Sequence, residues 1–267
     1  MKCGEPMIDK TIIKMSNSAK GLKLNKPVLV VGLPGIGNVG KLIAEHLRKE
    51  FDSTKIATLY SPHFPHQVVM LKSGGIRLVG NRFYLIRGKG IKRDIVLLTG
   101  ETQAVTPEGQ YEVNGKIVDF FKNRLKGEFI YTLGGYSVAR GVANTPRVYG
   151  SATGKEVVAR FKDSGILFGK ARGMILGSAG LILAFAKMES LDGICLMGET
   201  SFLDIDASAA KSVLKMLAKN LGIEIDTKNL DKIIEKTAQA LKELEKQASG
   251  FAPPEGITGG EKPSYIR

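Results

Sequence analysis

The segment PVLVVGL at 27–33 carries no charge and shows no alternation of apolar with polar positions. A run of that length, rich in Val and Leu, predicts a strand buried on both faces. The period then changes. Val39, Leu42, Ile43, His46 and Leu47 fall mostly three and four apart, which predicts a helix from about residue 37. A second strand is expected at 55–60. Between 67 and 98 come the short β-like pieces VVML, IRLVG, RFYLI and DIVLLTG, separated by glycine-rich breaks and expected to form an antiparallel addition. Helical spacing returns at TPEG, where Thr106 is a candidate N-cap, Pro107 the first helical residue and Glu108 an acid in the first turn. That helix continues through Val113, Ile117, Phe120, Phe121 and Leu125. FIYTL at 129–133 reads as another buried strand, leading into a Gly134-Gly135-Tyr136 turn. Further on, the pattern predicts a short helix at 154–162 and an almost fully buried one at 175–187. A last strand follows at 191–197 and a helix at 207–221.

This alternation of strand and helix indicates an α/β domain around a mainly parallel central sheet. Residues 1–26 read as an N-terminal lead-in with one apolar patch at 11–13, and 27–248 as a single domain. Its last part, 227–248, places Leu230, Ile233, Ile234, Thr237, Leu241, Leu244 and Ala248 on one stripe, with Asp, Glu and Lys on the other faces. Such a C-terminal helix lies on the domain or pairs with a neighbouring subunit. The remaining segment, SGFAPPEGITGGEKPSYIR at 249–267, holds four Gly and three Pro among few core-forming residues, and is expected to be a flexible tail.

Composition narrows the classes. A chain of 267 residues can bury a full core. No apolar run approaches the roughly 20 residues that cross a bilayer, and residues 1–20 contain no signal-peptide core, so a cytoplasmic protein without a membrane partner is expected. Of the two cysteines, Cys195 lies in the apolar run GICLMG and reads as a core thiol, so no disulfide framework is expected with Cys3. The formal net charge is +13. Seven basic residues and no acid lie between Lys72 and Arg93: Lys72, Arg77, Arg82, Arg87, Lys89, Lys92 and Arg93. They fit a solvated hairpin edge guarded against aggregation, or a surface for an acidic partner. Trp is absent and no RNA-binding aromatic signature accompanies the charge, so nucleic acid is not the expected partner.

The motifs that suggest chemistry are each incomplete. GLPGIGNVGKL begins at Gly32, after a predicted strand and before a helix, where glycine amides can cradle a phosphate. As a P-loop it has Leu42 where a hydroxyl must hold magnesium. As a dinucleotide fingerprint it has no acid at the end of the next strand, since Asp52 precedes that strand. A tight turn packed against its neighbours explains the glycines as well. His63-x-x-His66 is the only close histidine pair, short of the three or four ligands a zinc site needs. Gly-Glu-Thr occurs twice, at 100–102 and 198–200, each after a predicted strand. Glu101 and Glu199 are therefore candidates for acid–base work at the ligand-binding edge of a parallel sheet, or for caps and ion pairs. Possible ligand-binding residues are thus Gly35, Gly37, Asn38, Gly40, Glu101 and Glu199. No catalytic residue set, metal or cofactor is nominated.

Six segments in order carry a resemblance. GLPGIGNVG, TGETQ at 99–103, TLGGY at 132–136, GSAGLILAFA at 177–186, GICLMGETS at 193–201 and DIDASAAKSVLKML at 204–217 resemble the archaeal branch of the proteasome assembly chaperone family, over roughly 27–222. The resemblance implies a three-layer α/β/α core like that of nucleoside phosphorylases, used for protein binding without established catalysis. It also implies a homo-oligomer that binds proteasome α-subunits, in some members through a C-terminal tail with a penultimate Tyr after a hydrophobic residue. Here Tyr265 is third from the end, before Ile266 and Arg267, and Ser264 precedes it. The resemblance makes Tyr265, Ile266 and Arg267 the candidate partner-binding residues. The alternative is a nucleoside phosphorylase- or hydrolase-like enzyme binding a nucleotide or phosphate at the 35–40 loop.

Overall fold

A computed structural model describes residues 8–88, 90–138, 145–171, 173–201 and 205–249. In chain order the elements are β1 (Ile12–Met15), β2 (Val28–Gly32), α1 (Val39–Glu50), β3 (Ser53–Tyr60), β4 (Val68–Met70), β5 (Ile76–Leu78), β6 (Asn81–Ile86) and β7 (Ile95–Gly100). There follow α2 (Pro107–Asp119), β8 (Phe129–Ser137), β9 (Val148–Ala152), α3 (Lys155–Arg160), β10 (Leu167–Phe168), α4 (Ser178–Met188), β11 (Asp192–Thr200), α5 (Ala207–Leu221) and α6 (Lys228–Ser249).

One nine-stranded sheet runs in the order β1-β3-β6-β7-β2-β8-β11-β9-β10. Its centre, β7-β2-β8-β11, is parallel throughout. Antiparallel strands flank it, β6 on one side and β9 on the other. β2 is buried along its whole length because both faces are covered. Leu29 and Val31 join Val113, Ile117 and Phe121 of the α2 region and Ile182 of α4 on one side. Val28 and Val30 join Ile43 and Leu47 of α1 and Val213 and Leu217 of α5 on the other. The molecule is thus a three-layer α/β/α sandwich with the C-terminal helix α6 added to the α1–α5 layer through buried Leu230.

Several elements differ in extent from what the sequence pattern suggests. β7 belongs to the parallel centre, since its six residues are all buried between layers. Within 67–98 only β4–β5, a separate two-stranded sheet, and β6 are antiparallel additions. β1 joins the edge of the main sheet by pairing antiparallel with β3, so part of the lead-in is sheet. α4 starts only at Ser178 and is half buried: Ile182, Leu183 and Ala186 face the core, whereas Met188 is exposed. Gly134-Gly135-Tyr136 is strand rather than turn, and so is Gly198-Glu199-Thr200. The two stretches pair with each other, Gly135 opposite Gly198 and Tyr136 opposite Glu199, which carries β8 and β11 past their apolar cores.

Candidate functional site

At the carboxyl ends of β2, β8 and β11 lies a cavity of about 340 Å³. Ligands of open α/β sheets usually bind at this edge. Its walls are mostly apolar, formed by Val31, Leu33, Leu133, Ile175 and Met197, and its rim carries exposed Met174 and Leu176. Three chain segments converge on it: the 35–40 loop, the Gly134–Gly135 stretch of β8, and the start of α4. Gln103 ties two of them together. Its Nε2 donates to the Pro34 carbonyl at 2.5 Å, and its Oε1 accepts from the Ser178 amide at 2.8 Å. In the sequence this glutamine appears only as the last residue of TGETQ, with no role attached, because that role needs two partners 69 and 75 residues away.

The glycine loop is shaped largely by close approach. A Cβ on Gly40 would lie 2.5 Å from the Leu133 carbonyl oxygen, and one on Gly135 would lie 2.5 Å from that of Ile36. Gly37 and Asn38 adopt left-handed conformations, at φ 61° and 48°, and turn the chain into α1. The Gly37 carbonyl accepts from the Asp206 amide at 2.8 Å, which fastens the loop to the start of α5. Gly35 and Gly40 line the cavity, whereas Gly37, Asn38, Glu101 and Glu199 do not. Lys41, placed like a P-loop lysine, instead donates to the Gly100 carbonyl at 2.7 Å and to Glu45 at 3.1 Å.

Both candidate carboxylates are held by arginine. Glu101 accepts from Arg77 at 2.9 and 3.2 Å and from Arg82 at 2.7 and 3.2 Å. Burial raises its pKa, but the two guanidinium groups outweigh this and hold it down at about 2. It is a fixed anion at neutral pH, a poor general base. Glu199 is buried and meets Arg147 through the guanidinium and through the Arg147 amide, at 3.1 Å. The hydrogen bonds to Glu199 raise the Arg147 pKa further above its ordinary value.

The remaining candidates have structural partners. His63 Nε2 lies 3.1 Å from Glu112 Oε2, and the other Glu112 oxygen accepts from the Thr11 amide, joining β1's approach to α2. Hydrogen bonds from Thr11 and His63 lower the Glu112 pKa against a smaller opposing effect of burial. His46 is buried against the Asp226 carbonyl, at 2.7 Å. Among the described residues no group of three or more His, Cys, Asp or Glu could hold a metal. Cys195 is fully buried, and burial pushes its thiol up to about 11, against a smaller opposing hydrogen bond with Thr132. In the basic stretch, Arg87 pairs with Asp94 and Arg93 with Glu128, besides the arginines on Glu101. Lys89, Cys3, Tyr265, Ile266 and Arg267 lie outside the described residues. No described helix is long and apolar enough to cross a membrane.

The layered sheet, the glycine loop held against β8 at Gly40, and the two arginine-bound carboxylates Glu101 and Glu199 define a protein of the α/β/α class. The chain belongs to the PAC2 family, whose model matches residues 29–245. It is 39% identical over 239 residues to the uncharacterized protein MJ1210 of Methanocaldococcus jannaschii, covering 87% of this chain and 91% of that one. Among solved structures it is similar to Pyrococcus furiosus PbaB, an archaeal proteasome activator, with 36% identity and a TM-score of 0.81 over 88% of this chain and 99% of that one. The fold also matches P. furiosus PbaA, an archaeal homolog of proteasome-assembly chaperone, at 24% identity and a TM-score of 0.74, covering 91% and 94% of the two chains.

Proposed function

We propose that the protein is a non-enzymatic proteasome assembly chaperone or proteasome-binding protein that acts on α-subunits or the α-ring as a cytoplasmic homo-oligomer. The similarity to PbaB, at 36% identity across nearly the whole of that chain, is the observation that carries this reading. The site geometry supports it. The groups that an enzyme reading would use, Lys41, Glu101 and Glu199, are engaged in ion pairs and backbone hydrogen bonds. Docking is assigned to the tail, with Tyr265 as aromatic anchor beside Ile266 and Arg267. Several tails on one oligomer raise avidity without a strong single contact. The test compares equilibrium binding of α-subunits to the full chain, to a truncation after Lys262 and to Tyr265→Ala. Sharp weakening in both variants is the expected result; equal binding by all three would move docking to the folded core.

The apolar cavity favours a second reading, in which a small ligand occupies the space beside Gly35 and Gly40. Saturable binding of a nucleoside or of inorganic phosphate, lost on Gly35→Val, would support it; no heat of binding at millimolar ligand would dismiss both probes.

A further inference from the structure

Of the two glycines of β8 beside the apolar cavity, only one is required by packing. A Cβ on Gly135 would lie 2.5 Å from the Ile36 carbonyl oxygen, but one on Gly134 would meet nothing within 4 Å. Gly134 lies inside the strand and lines the cavity. Ile130 of the same strand belongs to the core under α2 and α4, and alternation turns Gly134 to that side. A glycine inside a strand weakens it, and such a residue often marks where a ligand approaches the backbone. Here the missing side chain keeps the space above the sheet open. The rim of that space is apolar as well: Ile36, Met174 and Leu176 line it and are 43%, 87% and 72% exposed. The Ser137 hydroxyl, also at the cavity, is buried with no hydrogen-bond partner.

We propose that the cavity binds a small uncharged molecule, apolar over most of its surface, with one hydrogen-bonding group for Ser137. The inference rests on the second reading above and gives its ligand a chemical class. Size sets the first limit. The cavity's 340 Å³ lies near the lower end of the roughly 300–1,000 Å³ of ligand pockets. With water's share of liquid volume, about 30 Å³, as the measure, it holds on the order of ten non-hydrogen atoms. Charge sets the second limit. Among the described residues no Asp, Glu, Lys, Arg or His lines the cavity, so an ion would lose its hydration without gaining a counter-charge. The Ser178 amide at the start of α4, where a helix end would receive an anion, is already held by Gln103 Oε1. The walls set the third, since even an aliphatic-lined cavity of about 150 Å³ takes up benzene. A nucleoside would bring several hydroxyls against walls that are mostly aliphatic.

NMR of the full chain, labelled at its methionine methyls, tests this with 1-hexanol as the probe. Met174 and Met197 line the cavity, whereas the exposed Met70 and Met188 lie outside it and serve as controls. Saturable shifts of the Met174 and Met197 signals are expected, with those of Met70 and Met188 unmoved. Inorganic phosphate, hexanoate and adenosine at the same concentrations are expected to shift none of the four. Gly134→Val, which fills the open space, should abolish the hexanol response. Ser137→Ala should weaken hexanol binding about 2- to 10-fold and leave toluene binding unchanged, which keeps the test decisive if the glycine variant fails to fold. If phosphate or adenosine shifts Met174 and Met197 and hexanol does not, the second reading stands and this ligand class falls. If no probe shifts them, both fall. Hexanoate that binds as tightly as hexanol overturns the uncharged class. Equal shifts at all four methionines, or a hexanol response untouched by either variant, would mean nonspecific partition and overturn the proposal.

Discussion

At Glu101, burial and two guanidinium groups pull in opposite directions, and the guanidinium groups prevail. Its carboxyl falls from an ordinary 4.5 to about 2 in the folded chain. A depressed folded pKa contributes stability above the unfolded value, which is lost as pH falls through the folded one. The melting-temperature difference between wild type and Glu101→Gln should therefore be largest above about pH 4.5 and shrink toward pH 2. A difference independent of pH would contradict the arginine clamp. The glycines make a second contrast. Gly40→Ala sets a methyl 2.5 Å from the Leu133 carbonyl, whereas the same methyl on Gly35 meets only Gln103 Nε2 at 3.9 Å. Overpacking against rigid backbone costs about 1–3 kcal/mol. Urea unfolding should show such a loss for Gly40→Ala and a smaller change for Gly35→Ala. The sequence places the glycine loop correctly between strand and helix and offers tight packing as one explanation. It does not separate Gly40, which packs, from Gly35, which opens on the cavity, because that depends on β8, nearly a hundred residues away.

Whole elements were legible where local patterning and tertiary burial agree. β2 is an uncharged run because layers cover both its faces. α2 begins as its cap predicts, with Thr106 Oγ1 accepting from the Gly109 amide at 3.1 Å and Pro107 next. Thr106→Ala should cost about 0.5–2 kcal/mol by thermal or urea unfolding, with Thr106→Ser close to wild type. An unchanged Thr106→Ala would remove the cap from the account. The ends of β8 and β11 were not legible, because each strand continues through glycine and polar residues that are strand only by pairing with the other. α4 reads as uniformly apolar, yet it covers the sheet with one side only. α6 is anchored early, by Leu230 in the core and Asp231 on Lys211. Loss of the Leu230 side chain to Ala should therefore cost about 2–5 kcal/mol. A near-neutral result would mean that the helix is held elsewhere.

Across the whole molecule, three layers close over a parallel centre, and the elements that vary most in chemistry lie at its edges. The carboxyl edge holds the apolar cavity, the β4–β5 hairpin leaves an apolar face open, and Arg77, Arg82, Arg87 and Arg93 of the basic stretch lie in ion pairs. On the proposed reading, a chain of net charge +13 associates faster with an acidic α-subunit surface, and that association rate should fall as salt rises from about 50 to 500 mM. The layered class was legible because strand and helix alternate along the chain. The direction of β7 and the edge position of β1 were not, since both are set by partners distant in sequence. The central claim is that this molecule engages proteasome α-subunits. Size-exclusion chromatography with light scattering, on the full chain mixed with purified α-subunits at low salt, tests it most directly. The account predicts a co-eluting complex whose mass exceeds that of either component alone; separate elution of the two at every ratio would contradict it.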